Sequence, residues 1–423
     1  MQERIVVIGG GAAGLMAAIF AAQGDAQVSI LEGGAKIGRK LLATGNGRCN
    51  LTNENICTQY YHGDVKRFQG ILEAFPGRRV VQIFEGLGLL CRSEGEGRIY
   101  PYNVQASAVL DVLRLALQKR NVEIICDFPV MMLEKTGASF QITSRNGQAV
   151  YADKVILATG GKASPRLGSD GSGFTLAKRL GHSMTPLVPA LVGIKTHTHR
   201  ARPLKGMRSY VAATLWMDGQ KRGEETGEVQ FTEYGLSGIC MFQFSRHINM
   251  ALHDNPDCCV EVSLDLMPEY QEEWIAKKIA GHAKQYPESA LSGLLTGLLN
   301  KRVGEEIVRQ VFADPYPMPA AVCTFRHARE LARCIKHFSF PILGSAPWDS
   351  AQVTAGGVAG KQIHPQTMES TCCPGLYFAG EILNMDGDCG GFNLHWAWAS
   401  GILAGMSAAG IRNQKEKQGG KSS

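Results

Sequence analysis

The chain has 423 residues, 44% of them from the apolar set AVILMFWYC and 19% charged, which excludes both a single small module and a charge-rich chain unable to build a core. Lysine plus arginine outnumbers aspartate plus glutamate by 44 to 38, a net charge of +6. That excess is mild and dispersed outside the Lys415, Lys417 and Lys421 tail, so no nucleic-acid partner is expected. Glycine is over-represented, with 50 residues or about 12% where roughly 7% is usual, and no Gly-X-Y period accompanies it; turns and ligand loops must absorb the excess.

The first 32 residues read as one unit. Residues 4–8 form a strand-like apolar run, Gly9-Gly10-Gly11 break it, residues 13–23 are Ala-rich and helical, and 27–31 are strand-like again. This is the opening of a βαβ unit and implies a parallel sheet. Residues 5–23 carry no charge, yet the glycine break excludes a signal peptide or membrane span there, and no other stretch approaches 18 apolar residues. Twelve cysteines without any C-x-x-C read as reduced thiols, so the expectation is a soluble, cytoplasmic protein with no metal. His197 and His199 alternate but lack further ligands.

Residues 33–63 are rich in Gly, Asn and Arg without periodicity, a long functional loop. Helical patterns follow at 63–86 and 105–119, then β-type segments at 122–126, 130–135, 139–144, 149–151 and 154–158, the last ending in a second glycine turn, Thr159-Gly160-Gly161. From about 191 the texture changes to short strands (191–196, 211–217, 228–231, 259–265), with helical segments between 269 and 312. Residues 376–379 and a helix at 394–409 then return to the first domain, and the residues after about 412 read as a frayed tail.

The sharpest motif is Gly9-Gly10-Gly11-Ala12-Ala13-Gly14, a G-x-G-x-x-G between strand and helix, with Glu32 closing the next strand. Gly9 permits the tight turn, Gly11 lets the backbone approach a pyrophosphate, and Gly14 lets the helix pack on the strand. The helix N-terminus offers unpaired N–H groups and a favourable dipole, and Glu32 is placed to accept from ribose hydroxyls. FAD and NAD share this fingerprint. There is only one copy, so a two-nucleotide disulfide reductase is excluded. The basic loop Gly38-Arg39-Lys40 with Thr44-Gly45-Asn46-Gly47-Arg48-Cys49-Asn50 suits a cofactor longer than NAD, which favours FAD; NAD(P)H can still dock directly against a flavin as co-substrate.

Several long motifs in one order extend this reading: Gly45-Asn46-Gly47-Arg48-Cys49-Asn50-Leu51-Thr52-Asn53, Gly97-Arg98-Ile99-Tyr100-Pro101, Phe231-Thr232-Glu233-Tyr234-Gly235-Leu236-Ser237-Gly238, Val353-Thr354-Ala355-Gly356-Gly357, and Gly390-Gly391-Phe392-Asn393-Leu394-His395-Trp396-Ala397. By these the chain resembles the YhiN/BaiN-like flavoproteins, the aminoacetone-oxidase-type family of FAD-dependent oxidoreductases. The resemblance implies an α/β fold, a Rossmann-like, glutathione-reductase-type FAD-binding domain (1–190 with 341–412), interrupted by a β-barrel-like subdomain (191–265) and a helical subdomain (266–340), with a tail at 413–423.

It also implies non-covalent FAD. Gly9, Gly11, Ala12, Ala13, Gly14 and Glu32 would hold the ADP half, Lys40, Thr44 and Gly45 would lie near the pyrophosphate, and Val130 near the adenine. Thr159 and Gly160 would line the cofactor. Arg48, Cys49, Asn50, Gly380, Glu381, Asp386, Gly391, Phe392 and Asn393 would complete the flavin end, where the last helix N-terminus favours an anionic ring. Two positions depart from the family pattern: His395, more often glutamine, and Asp388-Cys389, where Pro-Thr is common.

Arg48 reads equally as an anion stabiliser or a loop-ordering ion pair, and His395 as a proton donor or a helix residue satisfied by backbone. The expected function is flavin-mediated hydride transfer to or from a small organic substrate bound between the FAD domain and the insertion. The alternative is a flavin-containing RNA-binding or tRNA-modifying factor.

Overall fold

The computed structural model describes residues 2–312 and 314–411; the lysine tail singled out above lies outside them. They divide into two compact units, one formed by residues up to Val188 together with those from Gln352 onward, the other by Pro189–Ala351.

The first unit is built on a five-stranded parallel sheet. Strand β1 (Arg4–Ile8) is central, flanked by β2 (Gln27–Leu31) on one side and Lys154–Leu157 on the other, with Glu123–Ile125 and Leu376–Phe378 at the two edges. Val6, Val7 and Ile8 are buried on both faces, as a parallel sheet covered by helices requires. Helix α1 (Ala12–Ala21) is apolar all round, AAGLMAAIFA, because its outer side is covered by the final helix, Phe392–Ala408. The two helices meet backbone to backbone: a methyl built on Gly401 would lie 2.5 Å from the Ala13 carbonyl oxygen, and one on Gly405 2.2 Å from that of Ala17. Trp396 and Trp398 of the final helix are wholly buried, their indole N–H groups donating to the Gly380 and Leu51 carbonyls at 3.1 and 2.9 Å.

The helical pattern over 63–86 resolves into two helices, Val65–Ala74 and Gly77–Gly86. Pro76 begins the second one; proline has no N–H and clashes within a continuous helix, so the chain breaks there. The unit also holds a three-stranded antiparallel sheet of Val130–Thr136, Ser139–Ser144 and Ala149–Ala152, a second of Thr52–Asn53, Arg98–Pro101 and Cys91–Ser93, and a two-stranded ribbon of Tyr61–Gly63 with Met385–Gly387.

The second unit contains a closed six-stranded barrel: Ile194–Thr196, Gly235–Ser237, Gln220–Phe231, Arg208–Met217, Val260–Asp265 and Phe338–Ser345. Val211, Ala213, Val229, Phe231, Val262, Leu264 and Phe340 fill it. Helices Glu272–Gln285, Lys301–Val311 and Phe325–Lys336 share one continuous core with these strands. The closing strand follows the helices in sequence, so the expected boundary at 340/341 falls inside a barrel strand. Barrel and helices are interleaved along the chain where two consecutive subdomains were expected.

Candidate FAD site at the carboxyl edge of the parallel sheet

Four parallel strands end in residues that the sequence singled out: β1 in Gly9, β2 in Glu32, Lys154–Leu157 in the Thr159-Gly160 turn, and Leu376–Phe378 in Gly380-Glu381. The carboxyl edge of a parallel sheet is where such folds bind ligands.

Three glycines of the first turn differ in what they do. Gly9 has φ +108°, and a methyl there would meet the Ala158 carbonyl oxygen at 2.5 Å; a methyl on Gly14 would lie 1.9 Å from the Gly9 oxygen. Both are needed by the fold itself. Gly11 is different: a methyl there meets nothing within 4 Å, and its φ of −87° suits any residue. It caps α1 without a side-chain hydrogen bond, leaving the N–H groups of Ala12, Ala13 and Gly14 at a helix start with open space before them. Space of this kind at a helix N-terminus suits a pyrophosphate.

Glu32 accepts from Gly10 N–H through Oε2 and from Gly34 N–H through Oε1, each at 2.8 Å. A carboxylate has about four lone-pair directions, so the orientation is fixed while acceptor capacity for ribose hydroxyls is kept. The Phe128 N–H donates to the Glu32 carbonyl at 2.9 Å, which brings the half-buried Val130 strand start beside it. Lys40 Nζ lies 2.8 Å from Glu381 Oε2, and Glu381 Oε1 accepts from Thr354 N–H at 2.8 Å; this ion pair ties the basic loop to the Gly380 turn. Gly380 itself, φ +79°, would place a methyl 2.7 Å from Ala13 Cβ and donates its N–H to Ser400 Oγ at 2.9 Å. Thr159 Oγ1 is buried without a hydrogen-bond partner. An orphaned hydroxyl beside a left-handed glycine (Gly160, φ +73°) is a group waiting for a polar ligand atom. On these observations the residues fit FAD.

The loop after Thr44 turns through left-handed Gly45, Asn46 and Cys49, with Thr44 Oγ1 donating to the Leu41 carbonyl at 2.6 Å. Cys49 is fully buried, and burial pushes its thiol up to about 12; it is an uncharged packing residue. Asn50 bridges to the final helix, its amide nitrogen donating to the Thr52 carbonyl (3.0 Å) and its oxygen accepting from Gly391 N–H (3.1 Å). Gly391, φ +96°, caps that helix without a side-chain bond. Asn393 grips Gly387 at both its N–H (2.8 Å) and its carbonyl (2.6 Å), Phe392 stacks on Tyr60 at 4.5 Å, and Asp386 is buried on the adjoining strand Met385–Gly387.

The two candidates for charge and proton handling each meet a specific partner. Arg48 donates to both Glu94 oxygens at 2.8 and 2.7 Å and lies 4.4 Å over the Tyr100 ring, so it orders the loop. His395 is 0% exposed. Its Nδ1 lies 2.8 Å from Thr52 Oγ1, and burial holds it down to about 3, the Phe75 carbonyl opposing. Its Nε2 is buried without a hydrogen-bond partner, so the reading of a helix residue satisfied by backbone does not account for that ring nitrogen. The pairings Arg48–Glu94, Thr52–His395 and His62–Asp388 do not show in the sequence, because the partners lie far apart along the chain.

The HI0933-like protein Rossmann domain matches residues 3–407. The chain is 42% identical over 96% of its length, and 99% of the relative's, to a 3-dehydro-bile acid delta(4,6)-reductase of Clostridium scindens. It is 27% identical over 93% of its length, and 95% of the relative's, to a ribosomal RNA dihydrouridine synthase of Escherichia coli strain K12. Among solved structures, 3-ketosteroid delta1-dehydrogenase from Sterolibacterium denitrificans has the same fold, with a TM-score of 0.51 at 13% identity over 96% of this chain and 99% of that one. No described helix is long and apolar enough to cross a membrane. With a family match spanning nearly the whole chain and the glycine cradle intact, this protein belongs to the HI0933-like Rossmann family.

Proposed function

We propose that the chain is an FAD-dependent reductase that saturates a carbon–carbon double bond conjugated to a carbonyl in a small organic substrate, with NAD(P)H in the cytoplasm as the electron source. The observation that carries this reading is the open Gly11 cradle between β1 and α1 with Glu32 at the next strand end, in a chain 42% identical to a reductase of a 3-dehydro-bile acid. The cradle, Glu32, Lys40 and Thr159 would hold the cofactor. When bound, FAD supplies two-electron hydride exchange.

The protein's own residues then set the surroundings. The N-terminus of the final helix, left uncapped at Gly391, presents its positive dipole end and favours negative charge nearby. Tyr60, Tyr61 and Phe392 form an aromatic cluster there that keeps water from one side. Burial favours the uncharged forms of Cys49 and His395, so neither adds a charge to the site at neutral pH.

A second reading is favoured by relatives named ribosomal RNA dihydrouridine synthase, at 27% and 28% identity over 93% and 95% of this chain. Reduction of a uracil ring is the same chemistry, a double bond conjugated to a carbonyl, on a nucleic acid. The test is anaerobic. The yellow protein is mixed with NADH and then NADPH while flavin absorbance is followed near about 450 nm. The reduced protein is then offered a 3-oxo-4,6-diene steroid acid or a uridine-containing ribosomal RNA fragment. Reoxidation by the steroid acid supports the first reading and reoxidation by RNA alone the second. Failure to retain FAD, or reoxidation by neither, refutes both.

A further inference from the structure

A hydride added to the β-carbon of a conjugated carbonyl leaves an enolate, which needs a proton at the α-carbon. A donor that must regain its proton from water is better placed at a partly exposed group than at His395, which is wholly buried with Nδ1 on Thr52 Oγ1, or at Arg48, which is held by both Glu94 oxygens. We propose that His62, oriented by Asp388, supplies it; this rests on the conjugated-reductase reading above.

The first unit contains four histidines: His62, His182, His364 and His395. His182 is buried, with its ring held by the Ala177 carbonyl and Ser370 Oγ, and His364 lies on an exposed loop. Of these four, His62 faces a carboxylate: Nε2 lies 2.8 Å from Asp388 Oδ1, and both side chains are 22% exposed. That exposure is enough to exchange protons with water yet small enough to hold one geometry.

The placement is specific. Strand Tyr61–Gly63 pairs antiparallel with Met385–Gly387, setting His62 opposite Asp386, and the ribbon leads directly into Gly390-Gly391, the start of the final helix. Asp388 is held at its own backbone: its N–H donates to the Tyr60 carbonyl at 2.9 Å, and its carbonyl accepts from Asn393 Nδ2 at 3.4 Å. Tyr60 in turn stacks on Phe392. The carboxylate is therefore locked to the same turn that carries Phe392 and Asn393, both assigned above to the flavin end. A carboxylate on one ring nitrogen fixes that nitrogen as N–H and sets the ring's tautomer and orientation. Asp388 also stands at one of the two places where the sequence departs from the family pattern.

The balance closes. Two electrons and one hydrogen arrive as hydride on the β-carbon. His62 enters the step as the imidazolium with its Nε2–H held by Asp388; its Nδ1–H bond breaks as the α-carbon–H bond forms, the carbonyl is restored from the enolate, and the neutral Nε2–H ring regains a proton at Nδ1 from solvent. His62 is the catalytic residue in this scheme and Asp388 a positioning residue.

The test uses the full-length, FAD-loaded protein and its His62→Gln and Asp388→Ala variants, with FAD content and thermal melting checked first. In ligand-free protein, long-range ¹H–¹⁵N spectra are expected to show His62 as the Nε2–H tautomer, a preference lost in Asp388→Ala. In single turnovers with the 3-oxo-4,6-diene steroid acid in D₂O, reduction of the flavin by NAD(P)H is expected to be unchanged in both variants. Reoxidation is expected to slow about 10²- to 10⁴-fold in His62→Gln, the usual contribution of a general acid, and less in Asp388→Ala. The wild type is expected to deuterate one face of the α-carbon and His62→Gln both faces, a readout that loosened packing alone would not move. If the wild type turns over and His62→Gln matches it in rate and facial selectivity, or if His62 has no tautomer preference, the proposal is overturned while the reductase reading stands. If the wild type is not reoxidised by the steroid acid at all, that reading fails and the proposal with it.

Discussion

One substitution, glycine to alanine in mid-helix, should change sign between two places in this protein. At an exposed helical site it stabilises by about 0.8–1.0 kcal/mol through propensity alone. Gly281, in helix Glu272–Gln285, meets that condition, since a methyl there finds nothing within 4 Å. Gly281→Ala is therefore expected to gain about 1 kcal/mol.

Gly405 carries the same propensity gain, but its methyl would sit 2.2 Å from the Ala17 carbonyl oxygen and 3.0 Å from the Ala21 nitrogen. Overpacking costs about 1–3 kcal/mol. A clash with main chain belongs at the upper end, because no rotamer relieves it and α1 must move away from the final helix. About 3 kcal/mol less about 1 leaves Gly405→Ala destabilised by about 2 kcal/mol, a roughly 30-fold shift in the unfolding equilibrium. Urea titrations of the two variants beside the wild type measure both terms. A Gly405→Ala protein as stable as the wild type would refute the claim that the two helices meet backbone to backbone.

Three further outcomes follow from the site. Gly11→Ala should leave the melting of the ligand-free protein unchanged, since its methyl meets nothing, yet weaken FAD at least about tenfold, or about 1.4 kcal/mol, in a flavin fluorescence titration; unchanged affinity would move the pyrophosphate elsewhere. Cys49, pushed up to about 12 by burial, should resist iodoacetamide at pH 8 while exposed Cys57 and Cys259 are labelled, as read by peptide mass spectrometry. His395 is held down to about 3 from an ordinary 6.5, so the unfolded chain binds the extra proton between those values. Its contribution to stability is complete above about pH 6.5 and is lost as pH falls towards about 3, at up to about 1.4 kcal/mol per pH unit; His395→Gln should show a shallower acid slope in urea titrations.

What could be read from the sequence is what local pattern encodes. β1, the glycine turn, α1, β2 and Glu32 were legible because a buried apolar run, a break and an Ala-rich helix follow one another within 32 residues. The helical period over 63–86 runs on through Pro76, and only the proline marks the break between the two helices. Strand Gln220–Phe231 was recognised only at its end, because its first half, QKRGEET, alternates between exposed and half-buried positions at the barrel rim and shows no apolar face. Helix Ile239–Asp254 was not anticipated: Ile239, Phe242, Phe244 and Ile248 resist helix by propensity, and packing of Cys240, Met241, Phe244 and Ile248 against the barrel decides the matter. The site's cross-links left no local trace. Arg48–Glu94, His62–Asp388 and Lys40–Glu381 span 46, 326 and 341 positions, and no spacing rule reaches so far.

The covering of α1 by the final helix also fixes a schedule for the growing chain. Roughly 370 residues separate the end of α1 from Phe392, about 20–75 s of synthesis at roughly 5–20 residues per second. Throughout that interval α1 keeps an apolar flank uncovered, and the strand Lys154–Leu157 presents an unpaired edge to whatever is nearby until Leu376–Phe378 arrives. Barrel and helices of the second unit can all be made and closed while four of the five sheet strands wait for the fifth. A nascent chain of this topology therefore spends most of its synthesis as a client for proteins that shield apolar surface and open strand edges, and stop codons shortly before Phe392 should yield aggregates in place of a smaller folded protein.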